Sequence, residues 1–182
     1  MTRRERMSKR LWSVPLALSD VPDSGRHFDL VADEQARNAV AKHAGLSALP
    51  RLEASFDVTL HGRDGLHVVG RVSATVGQTC VVTLEPLENE IDESIDLVFA
   101  PGGALLLVAS GEVEVPAGDE PELLVGGVID LGAIATEFLI LSLDPYPRKP
   151  DAIFQASAIG DDAAHPFAAL AALKKGQGGE EQ

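Results

Sequence analysis

The segment LEASFDVTL (52–60) limits what this chain can fold into more than any other. Leu52, Ala54, Phe56, Val58 and Leu60 alternate with Glu53, Ser55, Asp57 and Thr59. Neighbouring side chains of a strand point to opposite faces, so the alternation predicts a strand with one buried and one wet face. Burial on one side only belongs to antiparallel sheets. LHVVGRVSATV (66–76) follows, with Leu66, Val68, Val72, Ala74 and Val76 on one face. The HGRDG between the two runs carries the turn dipeptide Asp64-Gly65, and the pair is predicted to be a hairpin.

Two further runs extend the pattern. CVVTL (80–84), ended by Glu85-Pro86, reads as a third strand. IDESIDLVF (91–99) reads as a fourth, with Glu93, Ile95, Leu97 and Phe99 on one face and Asp92, Ser94 and Asp96 on the other. LWSVPLAL (11–18) reads as a first strand that Pro15 places at an edge, and RHFDLVA (26–32) as a short strand. Helices are expected after two N-capping aspartates. Asp33 precedes EQARNAVAKHAGL, which Gly45 closes. Asp130 precedes LGAIATEFLILSL, whose Leu131, Ile134, Ala135, Phe138 and Leu141 form an amphipathic stripe. Gly102-Gly103 and Gly126-Gly127 read as turns, and three prolines make DPYPRKP (144–150) extended. The expected class is α+β, mainly β: an antiparallel meander, curled or partly closed, with two or three flanking helices.

Residues 1–10 read as a basic flexible arm and residues 11–150 as a single domain. Residues 151–182 are an Ala-rich tail in which HPFAALAALKK predicts a short helix, 166–175. No run is apolar and long enough for a transmembrane helix, and no signal peptide is read, so a cytoplasmic protein without a membrane partner is expected.

Charge is unevenly spread. The formal net charge is −13. Arg3, Arg4, Arg6, Lys9 and Arg10 crowd the arm, whereas no Lys or Arg lies between Arg71 and Arg148. That interval holds fourteen acids, from Glu85 to Asp144. Such a surface repels phosphate backbones and attracts basic partners.

The motifs of common catalysts are missing. The chain has no G-x-x-x-x-G-K-[ST], no G-x-G-x-x-G and no G-x-S-x-G. His27, His43, His61, His67 and His165 show no metal spacing, although His61 and His67 flank the hairpin turn and are expected to come close. A single cysteine, Cys80, rules out an intramolecular disulfide and a cysteine-rich zinc site, and reads as a buried structural thiol. Glu90, Asp92 and Asp96 form an acidic strand face without a third chemical group to make them catalytic. No catalytic residue, metal or cofactor is expected.

Three stretches together resemble the YceD-like family, the large ribosomal RNA subunit accumulation proteins. They are VSATVGQTCVVTLEPLENEIDESIDLVF (72–99), VIDLGAIATEFLILSLDPYPRKP (128–150) and HPFAALAALKK (165–175). Many members carry Cys-x-x-Cys in the first stretch, where this chain has Cys80 followed by Thr83. The resemblance implies a non-enzymatic bacterial factor that promotes accumulation, processing or assembly of large-subunit (23S) ribosomal RNA, with RNA rather than DNA as the nucleic acid. Candidate RNA contacts are Arg3, Arg4, Arg6, Lys9 and Arg10 of the arm, and Tyr146, Arg148 and Lys149 of the Pro-rich exit. The alternative is an acidic adaptor or chaperone for a basic ribosomal protein or another assembly factor, touched through Glu90, Asp92, Asp96, Phe167 and Leu170.

Overall fold

A computed structural model describes residues 11–101 and 121–154 of the chain. Its elements are β1 (Pro15–Ala17), a 3-10 turn (Leu18–Asp20), β2 (Arg26–Val31), α1 (Glu34–Ala44), β3 (Ala48–His61), β4 (Gly65–Thr79), β5 (Pro86–Ala100), β6 (Glu122–Leu123), β7 (Val128–Asp130) and α2 (Leu131–Leu141). The main sheet is open, in the order β2-β3-β4-β5-β6. Its first four strands are antiparallel neighbours, as the alternation requires. The short β6 departs from the expected meander by pairing parallel to β5.

The hairpin of β3 and β4 is the centre of the molecule. Leu52, Ala54, Phe56 and Val58 of β3 and Leu66, Val68, Val72, Ala74 and Val76 of β4 are all buried on one face. Ile95 of β5 joins them. Both helices pack on that face, through Ala36, Val40 and Ala41 of α1 and Leu131, Ala135 and Leu139 of α2. Each fully buried Val, Leu, Ile or Phe contributes roughly 1.5–3 kcal/mol of transfer free energy. Gly70 lies opposite Phe56, and a Cβ there would stand 2.5 Å from the Phe56 ring, so the glycine leaves room for the aromatic.

Several expectations are corrected. Cys80–Leu84 is a tight turn, not a strand. Leu84 N–H donates to the Cys80 carbonyl (2.9 Å), Cys80 N–H donates to the Glu85 carbonyl (2.8 Å), and Leu84 takes φ +59°. A run of apolar residues is strand-like only while its backbone groups face a neighbouring strand, and here they close on themselves. The fourth run starts earlier than read, at Pro86. The first strand shrinks to Pro15–Ala17 and pairs with β7 outside the main sheet. Leu60 sits at the exposed end of β3. Leu141 is 73% exposed, because the buried face of α2 runs along Leu131, Ala135 and Leu139, at i, i+4 and i+8, and Leu141 falls on its flank.

Both predicted N-caps form. Asp33 accepts from Ala36 N–H (2.7 Å), and Gly45 closes α1 in the left-handed region. Asp130 does more. Its carboxylate caps α2 through Ala133 N–H (3.1 Å) and also accepts from Val14 N–H (2.8 Å) and the Ser13 hydroxyl (2.7 Å). Leu131 N–H returns a bond to the Val14 carbonyl (3.0 Å). Gly132 lets the strap pass, since a Cβ there would lie 2.9 Å from the Trp12 carbonyl oxygen. The Asp-Leu-Gly triplet is therefore a clamp that fastens the N-terminal segment across the start of α2, with Trp12 buried beneath it.

The clamp makes a prediction whose sign opposes helix propensity. Gly→Ala inside a helix ordinarily stabilises by about 1 kcal/mol. Gly132→Ala will instead lower the urea midpoint, because the new methyl meets backbone rather than a yielding side chain. Asp130→Ala, which removes a cap and strands two further donors, will cost about 2–4 kcal/mol in the same urea titration.

Candidate functional site

The first and second family-like stretches meet at one end of the molecule. Cys80 sits where β4 ends, and the side chain is fully buried. Its sulfur accepts two backbone N–H groups, from Thr83 and from Lys149, each at 3.5 Å. A hydrogen bond from the Thr83 side chain, then the N–H groups of Lys149 and Thr83, favour the thiolate and push the thiol down to about 6. Thr83 thus supplies a donor to the sulfur from the position where a second cysteine was in question. The sulfur is an acceptor of backbone N–H groups, enclosed by the chain around it.

What it orders is the exit that follows α2. Gln78 donates to the Asp144 carbonyl (2.9 Å), and Tyr146 N–H donates to the Asp144 carboxylate (2.8 Å). Val81 N–H donates to the Pro147 carbonyl (2.9 Å). Lys149 Nζ pairs with Glu85 at 2.7 Å, which holds that carboxyl below its usual range. Ala152 N–H then donates to the Lys149 carbonyl (3.1 Å), closing a turn with Pro150 at its second position. Prolines alone would leave this segment extended. The Cys80 turn is what pins it to the body.

Pinning creates an alternation. Pro147 is buried and Lys149 half-buried, while Tyr146 and Arg148 between and beside them point outward. Tyr146 is 70% exposed. Arg148 makes no hydrogen bond or ion pair among the described residues. Lys149, a sequence candidate of equal standing, is engaged with Glu85. Beyond the turn, Ile153 and Phe154 are 78% and 76% exposed. Sequence reasoning passed over these two, because neither belongs to a periodic run.

The second group of candidates lies elsewhere, on the outer face of the sheet, which α1 and α2 leave uncovered. Glu90, Asp92 and Asp96 share this face, and each meets a partner on another strand, Asp92 and Asp96 on the adjacent β4 and Glu90 on β3 across β4. Arg51 bonds Glu90 (2.6 Å), Arg71 bonds Asp92 (2.8 Å) and His67 bonds Asp96 (2.7 Å). Thr75, first, and Arg51 hold the Glu90 carboxyl below its usual range. His27 lies between Asp57 (2.7 Å) and Asp29 (3.2 Å), which raise its pKa, Asp57 foremost. His61 and His67 do approach, their rings edge to face at 6.4 Å. Among the described residues no group of three His, Cys, Asp or Glu could hold a metal ion. No described helix is long and apolar enough to cross a membrane. Arg3, Arg4, Arg6, Lys9 and Arg10 lie outside the described residues, as do Phe167, Leu170 and the tail helix.

Comparison with known proteins bears on the same two stretches. The family model of the large ribosomal RNA subunit accumulation protein YceD matches residues 68–174, more than half of the chain. The chain belongs to the YceD family. The match begins within β4, takes in the Cys80 turn, the Asp130 clamp and the exit, and ends in the third family-like stretch. No curated protein and no solved structure matches the chain. In this YceD-family chain Gln78, Cys80, Val81 and Glu85 of the first motif bond the exit of the second, at the end of the molecule that carries Tyr146 and Arg148.

The Cys80 nest is testable by pH. An ordinary thiol titrates near ~8.5, so a folded value of about 6 means that the nest adds stability fully above pH ~8.5 and loses it as pH falls through about 6. Thiolate absorbance near ~240 nm, read against Cys80→Ala, should show its midpoint near pH 6. The wild type's stability advantage over Cys80→Ala should shrink from pH 9 towards pH 5, and iodoacetamide should react slowly while the chain is folded.

Proposed function

We propose that this protein promotes accumulation of large-subunit ribosomal RNA as a non-enzymatic factor, by contacting RNA through the Pro-rich exit and the basic arm. The family is named for that accumulation, and a bacterial cytoplasm is where such a factor works. One observation carries the reading to particular residues. The exit is tied down through backbone atoms, Cys80 and Lys149, whereas Tyr146 and Arg148 are held out with nothing described to occupy them. A guanidinium on a fixed backbone can bond phosphate in a bidentate fork, and a phenol ring offers a stacking face. Arg3, Arg4, Arg6, Lys9 and Arg10 add charge that orders on phosphates.

The test is binding of the purified full chain to large-subunit ribosomal RNA at two salt concentrations. Saturable binding is expected, weakened by salt, by removal of residues 1–10 and by Arg148→Ala. In cells lacking the protein, the ratio of large-subunit to small-subunit RNA should fall. Wild type should restore it, and the Tyr146→Ala/Arg148→Ala double variant should not. Wild-type protein that binds no RNA at either salt concentration rules out the direct contact.

The uncovered outer sheet face favours a second reading, an adaptor for a basic ribosomal protein. Besides Glu90, Asp92 and Asp96 it carries Asp29, Glu53 and Asp57, so opposite charge would be steered to it. Phe167 and Leu170 would then anchor the tail helix in the same partner. Capture of one basic ribosomal protein that survives loss of residues 1–10, and is lost on Glu90→Gln/Asp92→Asn/Asp96→Asn, is the outcome that selects this reading. The triple variant binding that protein as well as wild type does would sink it.

A further inference from the structure

The aromatic side chains are sorted by exposure. Trp12 and Phe56 are buried, and Phe28, Phe99 and Phe138 pack against the core. Among the described residues only Tyr146 and Phe154 stand largely in solvent, and both belong to the exit. The turn closed by Ala152 N–H on the Lys149 carbonyl lies between them and redirects the chain ahead of Ile153 and Phe154. Two exposed rings and one arginine without a described partner thus fall within the short exit segment.

Charge determines what such a site can take. The chain carries a net −13, and Asp144 and Asp151 flank Arg148 within the exit itself. A nucleic acid gains little here from phosphate contacts, since Arg148 is the one exit cation not engaged by a carboxylate. Affinity has to come from bases laid on aromatic faces. Bases in a duplex are stacked on one another and offer no free face to a side chain, whereas unpaired bases can be splayed out and stacked.

We infer that the exit is a site for unpaired RNA, with Tyr146 and Phe154 as platforms for two bases and Arg148 on a phosphate between them. The inference rests on the proposed contact between the exit and RNA, and names the form of RNA that the contact accepts. Stacking makes the site tolerant of sequence and intolerant of base pairing. Arg148 adds one phosphate contact, which corresponds to a change of about 0.7 in the slope of log affinity against log salt.

The experiment is fluorescence anisotropy with the full-length protein and a short unstructured RNA, alone and annealed to its complement. The single strand should bind about tenfold or more tightly than the duplex. Tyr146→Ala and Phe154→Ala should each weaken single-strand binding roughly five- to 150-fold, with little effect on the duplex. Tyr146→Phe should retain binding and Tyr146→Leu should lose it, which separates a stacked base from simple apolar contact. Both residues are exposed, so the variants keep the fold, and unchanged urea midpoints would confirm it. Equal affinity for single strand and duplex overturns the inference. So does single-strand binding indifferent to the Tyr146→Ala/Phe154→Ala double change, which would leave RNA contact to the arm and the wider proposal intact. No RNA binding by the wild type defeats both, and capture of a protein sensitive to the same two substitutions would make the patch a protein hot spot instead.

Discussion

The Asp130 carboxylate fastens the N-terminal segment to the start of α2. Donors to Asp130 include Ala133, Val14 and Ser13, which join the start of α2 to a segment more than a hundred residues earlier in the chain. The helix is apolar nearly all round, so its hydrophobicity alone would not choose which face turns to the sheet. The clamp chooses it. Gly132 is part of the same device, since the close pass of the Trp12 carbonyl forbids a side chain there. An Asp-Leu-Gly motif invites a catalytic reading, but each of its polar contacts described here is architectural.

The Cys80 turn performs the matching task at the far end of α2. A proline-rich segment has few N–H groups with which to bind a sheet, so it is held instead by accepting at Asp144 and Pro147 and by donating from Lys149 to a sulfur. A sulfur suits this place because it accepts several weak, long bonds at once, and the donors aimed at it favour its ionised form. The two devices fasten the start of α2 and the exit that follows it.

Local pattern made the hairpin, both caps, the stripe's first four members and the His61–His67 approach legible, because each depends on neighbours in sequence. Period two fixes faces, and an aspartate before an apolar helix fixes its start. CVVTL misled for the same reason: apolar content without partners does not distinguish a strand from a turn packed against a distant segment. The parallel β6 and the three-fold use of Asp130 are long-range facts with no local signature. At the candidate site, Arg148 and Lys149 were legible as cations breaking an acid-only stretch, and Tyr146 as the ring beside them. Phe154 was not, since an aromatic in an irregular segment is as often buried as exposed, and only the turn at Pro150 shows which way it went. Lys149 shows the converse, a cation whose role is decided by Glu85, 64 residues away.

The acidic face and the exit respond to charge in opposite ways, and magnitudes explain how they coexist. Pairs such as Arg71 with Asp92 are solvent-exposed, and pairs of that kind contribute about 0–1 kcal/mol each. They neither weld the sheet nor neutralise it, because acids outnumber arginines across the face. At physiological salt the field of that face decays over about 8 Å, so it weakens but does not abolish binding at a distant end of the molecule. What it does abolish is non-specific attraction along the body, where a phosphate backbone would meet carboxylates on every strand. An acidic protein that touches RNA must do so at a small place and by contacts other than charge. Under the proposed reading, two aromatic rings and one arginine without a described partner meet that requirement at the exit, and the basic arm adds the charge that the body lacks.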